Sequence, residues 1–594
     1  MAESVLFDGA DLITFRLMVD GSEVSSVDMI TSISVTRHIN RIPSAEIVIA
    51  DGDPSTQDFK VSDSATFVPG AEIEILMGYQ SRDKSVFKGV IIRQGLRVGH
   101  DGRSVLTVGC SDKAIRLTIA RVSQTFHEMT YSDAMKKLIA DSDLQANVSE
   151  ISGQMGHIVQ SQSSAWDFLL STAEAHGHVV IVEDGKVSVG PPKFVAPRYE
   201  VAFGETLAQM DIELRAVSQL SQVSSTSWDA SQQELLHGIS SEPSVNKQGN
   251  ITGRELAEKL GVAEFGLQTS RPMDAGALKT WANAQLMKSR LSRITGTVSF
   301  PGNAGVMPGY LLQVEGVGKR FGGDAYVSGI HHYMSEGEWQ TEATLGLDRR
   351  WFADLHRDVD EPQAAALTPG ATGLQIAKVV QVYDDPDDGQ RIKVKLPLSS
   401  PDQGIWVRLT SPYAGDKMGI SFLPEVDDEV VVGFLNDDPN APVVLGALHS
   451  SQRSLPFQPQ ETNAEKSIVT RSGLRIGFED EKKILTIETP GKHIVTLSDE
   501  DKSITVVDSN NNKIEMSEGG VTLSTPKDME ISADGSISIK GQSGISISSP
   551  SDVSVAGGGV SIDAQEALSC TGNLSASFEA TGEVTISGIM VSIN

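Results

Sequence analysis

Over its last seventy residues the chain repeats one small pattern. Val521-x-Leu523 is followed at eight-residue spacing by Met529-x-Ile531, Ile537-x-Ile539, Ile545-x-Ile547 and Val553-x-Val555. The register slips by one to Val560-x-Ile562 and resumes as Leu568-x-Cys570, Ala576-x-Phe578 and Val584-x-Ile586. An apolar-polar-apolar triplet is a minimal strand with one apolar face. Its recurrence at fixed spacing predicts a stack of equivalent strands. Each rung offers two apolar side chains, too few for a core within one chain. Such rungs become stable when they close into a prism, and three chains wound around one axis would do it. The pattern therefore predicts a stiff trimeric needle, with these triplets facing its axis.

The needle region is expected over 467–594. Its earlier rungs are looser: Leu474-x-Ile476, Leu485-x-Ile487, Val495-x-Leu497, Ile504-x-Val506 and Ile514-x-Met516 lie at uneven intervals. Residues 1 to about 120 alternate in short runs bounded by Gly, Asp and Pro, as in antiparallel sheets or barrels. Helices are predicted from Ser132, from Ser163 or Ser164, over 254–260 and over 273–291. Strands dominate again over 294–350. An acidic, Ala- and Pro-containing stretch, 357–373, reads as a linker that closes a hub domain of residues 1–356. The block 374–448 packs five or six short strands with tight turns, including Gly419–Leu423, which suggests a small OB-type barrel. A second linker covers 449–466. The expected fold class is mainly β: antiparallel sheets or barrels at about 1–120 and 294–350 with helical inserts, an OB-like barrel, and a C-terminal triple-stranded β-helix formed by three chains.

Composition narrows the function. A length of 594 residues allows several domains. Aromatics at 5% and 55 glycines suit short strands and tight turns better than one thick core. A formal charge of −29 argues against nucleic acid as a partner. Cys110 and Cys570 both sit in strand-like patterns and are expected to be small buried hydrophobes. The N-terminus has no basic region followed by an apolar run, so synthesis in the cytoplasm without a signal peptide is expected. No stretch has the length of a membrane span.

Candidate chemistry is sparse. His127-Glu128 begins an H-E-x-x pattern, but Tyr131 stands where a second His is needed. His176 and His178 lack a third ligand, and His331-His332 should face opposite sides of a strand. The run Asp384–Asp388 reads as a solvated turn. Trp166 and Trp281 read as helix core anchors. No cofactor, metal or catalytic residue is expected.

One segment carries a specific resemblance. Residues 374–448 contain VVQVYDDPDDGQRIKVKLP, IWVRLTSPYAGDKMGISFLPEVDDEVVVGFLNDDPNAPVVLGALHS. They closely resemble the central barrel of VgrG proteins and phage tail spikes. The matching positions include Arg391, Trp406, Arg408, Gly415, Phe422, Pro424, Asp428, Glu429 and Gly446. SSAWDFLLSTAEAHG (163–177) and GYLLQVEGVGKRFGGDAYVSGIHHYMSEGEWQTEATL (309–345) resemble the hub half of the same family, which implies two hub β-barrels at about 1–120 and 294–350. The resemblance implies a homotrimeric spike of a contractile injection system that pierces a target membrane mechanically. Its implied partners are inner tube proteins above the hub, baseplate proteins, effector cargo and a PAAR-type tip protein held by Ile589, Met590, Val591 and Ile593. It implies no enzyme, because the places where relatives carry one, after the barrel and beyond the needle, are short here. The particle would be cytoplasmic, membrane-attached or released. Two alternatives stay open: the hub-spike of a contractile-tailed phage, and a trimeric β-helical adhesin, which the aromatic-poor tail disfavours.

Overall fold

The computed structural model describes residues 2–6, 12–25, 29–151, 157–261, 264–356, 358–359, 361–397 and 404–593. The expected linker residues 357 and 360 and positions 398–403 of the OB block lie outside the described residues. The chain is mainly β, with 39% strand and 12% helix. It divides into two compact units between Leu448 and His449.

Alternating apolar residues build the hub's 14-stranded sheet. The sheet falls into two halves joined where Ile30–His38 pairs antiparallel with Gly323–Ser335. The first half encloses Leu17, Ile33, Ile47, Ile75, Phe87 and Leu106. The second encloses Val201, Val298, Phe300, Leu312, Val327 and Leu345. Each half thus has its own apolar core within one continuous sheet. The second half, however, does not come from 294–350 alone. It also takes Glu3–Ser4, Tyr199–Ala202 and Gln209–Leu214. These strands are distant in sequence, so local periodicity does not reveal that they share a sheet with Ile294–Pro301 and Leu311–Glu315.

Two helix-on-sheet inserts interrupt the hub strands along the sequence. Helices Tyr131–Asp141 and Ala165–Ala175 pack Met135, Ile139, Trp166, Leu169 and Leu170 into one core. The first helix is capped by Thr130, whose Oγ1 accepts from the Asp133 amide at 3.1 Å, so it opens ahead of Ser132. Ser164 caps the second in the same way at 3.0 Å. Helix Ala275–Leu291 covers a three-stranded sheet whose middle strand is Val223–Asp229. Trp281 is half-buried on it rather than enclosed.

Strands Gln375–Gln381, Arg391–Lys395, Ile405–Leu409, Glu429–Phe434 and Pro442–Ala447 close into a barrel. Its interior is filled by Ala377, Val379, Ile392, Val394, Val407, Val430, Val432 and Val444. The expected strand over Gly419–Leu423 is not part of it. Only Met418–Gly419 pairs there, with Ala414–Gly415, in a small hairpin outside the barrel.

The second unit begins with a seven-stranded antiparallel meander from Glu465–Val469 to Gly520–Ser524. Its first strand starts inside the stretch expected to be linker. No strand is assigned among the described residues after Ser524.

Candidate assembly surface

The conserved-looking barrel positions are mostly scaffolding. Arg391 opens its strand and folds back on the preceding turn. Its Nε donates to the two carboxylate oxygens of Asp385 at 3.2 and 3.0 Å, and Nη2 donates to Asp387 at 2.6 Å. The Arg391 amide also donates to Asp385 at 3.1 Å. The guanidinium holds the Asp385 carboxyl far below the ordinary carboxylate range. The acidic run is therefore not a freely solvated turn: the Asp385 side chain is 8% exposed and belongs to a bidentate clamp. Arg391 pairs in register with Arg408, and Lys393 with Trp406, over whose ring the Lys393 ammonium lies at 5.9 Å. Asp428 accepts from the Glu425 amide at 2.9 Å and fixes the turn into Glu429. Gly446 pairs with Val431 across the barrel. Gly415 and Phe422 lie outside it, exposed, and Pro424 is half-buried.

The meander presents a different surface. Cross-strand register puts Ile468, Ile476, Ile487, Val495, Val506, Ile514 and Leu523 in one column on one face. A second column on that face holds Phe478, Leu485, Leu497, Ile504, Met516 and Val521. Between them, on the opposite face, run Ser467, Gly477, Thr486, Thr496, Thr505, Glu515 and Thr522. Among the described residues no apolar core forms in this unit. The sheet is a single layer whose apolar face has no cover from its own unit. Periodicity missed Ile468 and Phe478, and it paired Ile476 with Leu474, which lies in a turn. The correct partner two residues on, Phe478, was the available signal.

Beyond Ser524 the needle-core triplets are all exposed within one chain. Met529, Ile537, Ile545, Val553 and Val560 are 51–57% exposed. The second members of the same triplets, Ile531, Ile539, Ile547, Val555 and Ile562, are 66–74% exposed. Leu568, Phe578, Val584 and Ile586 are likewise open, as are the proposed tip residues Ile589, Met590, Val591 and Ile593. Cys570 is exposed too, against expectation, because no neighbour from its own chain reaches that rung; Cys110 is buried, which pushes its thiol up to about 12.

The histidines singled out in the sequence do not converge on a metal site among the described residues. No cluster of three His, Cys, Asp or Glu side chains forms there. His331 bonds Ser34 at 2.9 Å on one face of its strand, while His332 is enclosed on the other and bonds Thr341 at 2.9 Å. Burial lowers His332 to about 3, which keeps it neutral.

Comparison with known families decides what this architecture is. A family model described as the Alg8 N-terminal domain matches residues 9–336, more than half of the chain. The chain belongs to the Alg8 N-terminal domain family. A second model, the type VI secretion system/phage-baseplate injector OB domain, matches 375–449, the closed barrel. The chain thus carries an Alg8 N-terminal domain followed by an injector OB domain, and it is similar over parts of its length to VgrG spike proteins. Among curated relatives, the type VI secretion system spike protein VgrG3 of Vibrio cholerae is 28% identical over 122 residues, 19% of this chain and 12% of its own length. The spike protein VgrG1a of Pseudomonas aeruginosa is 24% identical over 181 residues, 28% of each chain. The chain thus spans between 11% and 28% of the length of these curated relatives. Among solved structures, the E. coli c3393 protein, described as a component of the type VI secretion system, aligns with 73% of this chain and 99% of its own at 12% identity and a TM-score of 0.37.

Proposed function

We propose that three copies of this chain form the spike at the tip of a contractile injection system. The hub would sit on the inner tube and baseplate, the OB barrels would make a collar, and the C-terminal unit would braid into a membrane-piercing needle. The observation that carries this reading is the uncovered two-column apolar face of the meander, continued by octad triplets with no cover of their own. A single-layer sheet with one such face is not stable in water. Copies of the same chain offer a matching surface at the same height along the axis. In this reading the triplets from Val521 to Ile586 form the triple-stranded β-helix, and Ile589, Met590, Val591 and Ile593 meet a PAAR-type tip protein.

The spike does its work by stiffness. Sheath contraction would supply the force, and the needle must resist bending and splaying. Closing the rungs would also remove exposed strand edges that otherwise invite aggregation. We assign the chain no enzymatic step, and effector cargo would be delivered as a passenger. That reading is supported by the names of the curated relatives, most of which are called spike proteins. The tube, baseplate and tip partners and the membrane target follow from the family resemblance carried by residues 374–448.

The test is the mass of the purified chain by mass photometry. The reading expects about three times the chain mass of 63.5 kDa with an elongated sedimentation profile. A stable monomer or a face-to-face dimer would overturn it.

A further inference from the structure

The hub contains a cleft of about 1000 Å³, well away from the needle and the barrel motif in sequence. Its base is an ordered polar cluster. The Glu174 carboxylate, 7% exposed, accepts from Lys288 Nζ at 2.6 Å, from Asn40 Nδ2 at 3.2 Å and from the Phe352 amide at 2.6 Å. This ties helix Ala165–Ala175, helix Ala275–Leu291 and the strap after Leu345 around one buried charge.

The cleft's charges do not balance. Each of its carboxylates is already taken: Glu174 by Lys288, Glu213 by Arg215, and Asp348 by Arg350. Two guanidinium groups on its walls, Arg41 and Arg349, have no carboxylate partner among the described residues. Beside them the His178 Nδ1 is buried without a hydrogen-bond partner. His178 and His38 are both lowered to about 4 by burial, so at neutral pH they add hydrogen-bonding capacity rather than charge. An unmatched pair of cations is unusual in a chain carrying −29. Arg41 is exposed and Arg349 half-buried, so both guanidinium groups are open to an incoming counter-charge.

We infer that this hub cleft docks an acidic peptide segment of a partner protein, with carboxylates on Arg41 and Arg349 and a polar group on His178. A volume at the upper limit for small-ligand pockets, in a cleft open to solvent, suits an extended chain better than an enclosed small molecule. Guanidinium groups match carboxylates in fork geometry, which favours acidic side chains over a diffuse counter-ion cloud. The cleft is built wholly from residues of the first unit and uses none of the needle residues, so the inference does not rest on the needle's assembly.

The experiment uses the full chain and a fluorescein-labelled Glu/Asp-rich octapeptide, followed by fluorescence anisotropy. Saturable binding that weakens with added salt is expected. The double variant R41E/R349E should bind about tenfold or more weakly, the order expected for loss of matched charge pairs. The charge-matched double variant R97E/R103E, on the first hub half, should bind like the parent. Mass photometry of each variant shows whether assembly is intact, which separates failure here from failure of the spike reading. No saturable binding, equal weakening by both double variants, or displacement of the peptide by millimolar inorganic phosphate to the same extent at equal ionic strength as an unrelated acidic peptide would overturn the inference.

Discussion

The two parts of the C-terminal unit look alike in sequence yet differ in fold. Along the meander's first apolar column, Ile468, Ile476, Ile487, Val495, Val506, Ile514 and Leu523, short and long intervals alternate. Alternation is the mark of hairpins, in which a column is met once just across a tight turn and next across a whole strand pair. Each of the six turns carries a left-handed residue: Gly473, Lys483, Lys492, Lys502, Asn511 and Gly520. From Met529 onward the interval is constant except for one slip at Gly557–Gly559, and among the described residues only Gly544 has positive φ. A constant interval belongs to a path that always winds the same way. The meander therefore satisfies its backbone within one chain, whereas the tail has no in-chain partner and exposes its triplets more fully. In the proposed trimer, the needle would change construction along its length while keeping an apolar axis.

The strongest way to break that comparison is a charge in the tail. Ile547→Asp would place three carboxylates in one rung, at a cost of several kcal/mol for each charge buried without a partner. Trimer mass should be lost while the hub remains folded. An I547D chain that stays trimeric with an unchanged melting temperature would refute the braided tail.

A milder perturbation compares the two regions directly. One Ser inserted after Gly535 shifts every later triplet by a residue and turns apolar positions outward. The same insertion after Asn510 lies in a hairpin turn, where loop length is flexible. Thermal unfolding should drop markedly for the tail insertion and by about 1 kcal/mol or less for the turn insertion, the usual range for changes in exposed segments. Equal effects would mean that both regions are hairpin-built.

The smallest expected effect is a reporter rather than a destabilisation. In a closed rung the three Cys570 thiols lie at one height, so mild oxidation should link two of the three chains. Denaturing electrophoresis should then show dimer and monomer bands, with no covalent trimer through this residue. Only monomer bands would mean that the Cys570 rungs do not meet.

Much of this protein is set by local pattern. The barrel is readable because its turns and alternating valines are close in sequence, and the octads are readable because their period is regular. The helices opening at Tyr131 and Ala165 are legible from their Thr and Ser caps, to within a residue or two. Tertiary structure alone decided the rest. Glu3–Ser4 and Tyr199–Ala202 joined a sheet completed more than a hundred residues later, because hydrogen-bonding partners in a sheet need not be neighbours in sequence. It also set Asp385 on Arg391, Phe478 rather than Leu474 beside Ile476, and Arg41 and Arg349 around one cleft. Periodicity reports which face of an element is apolar; only the assembled chain determines what that face meets.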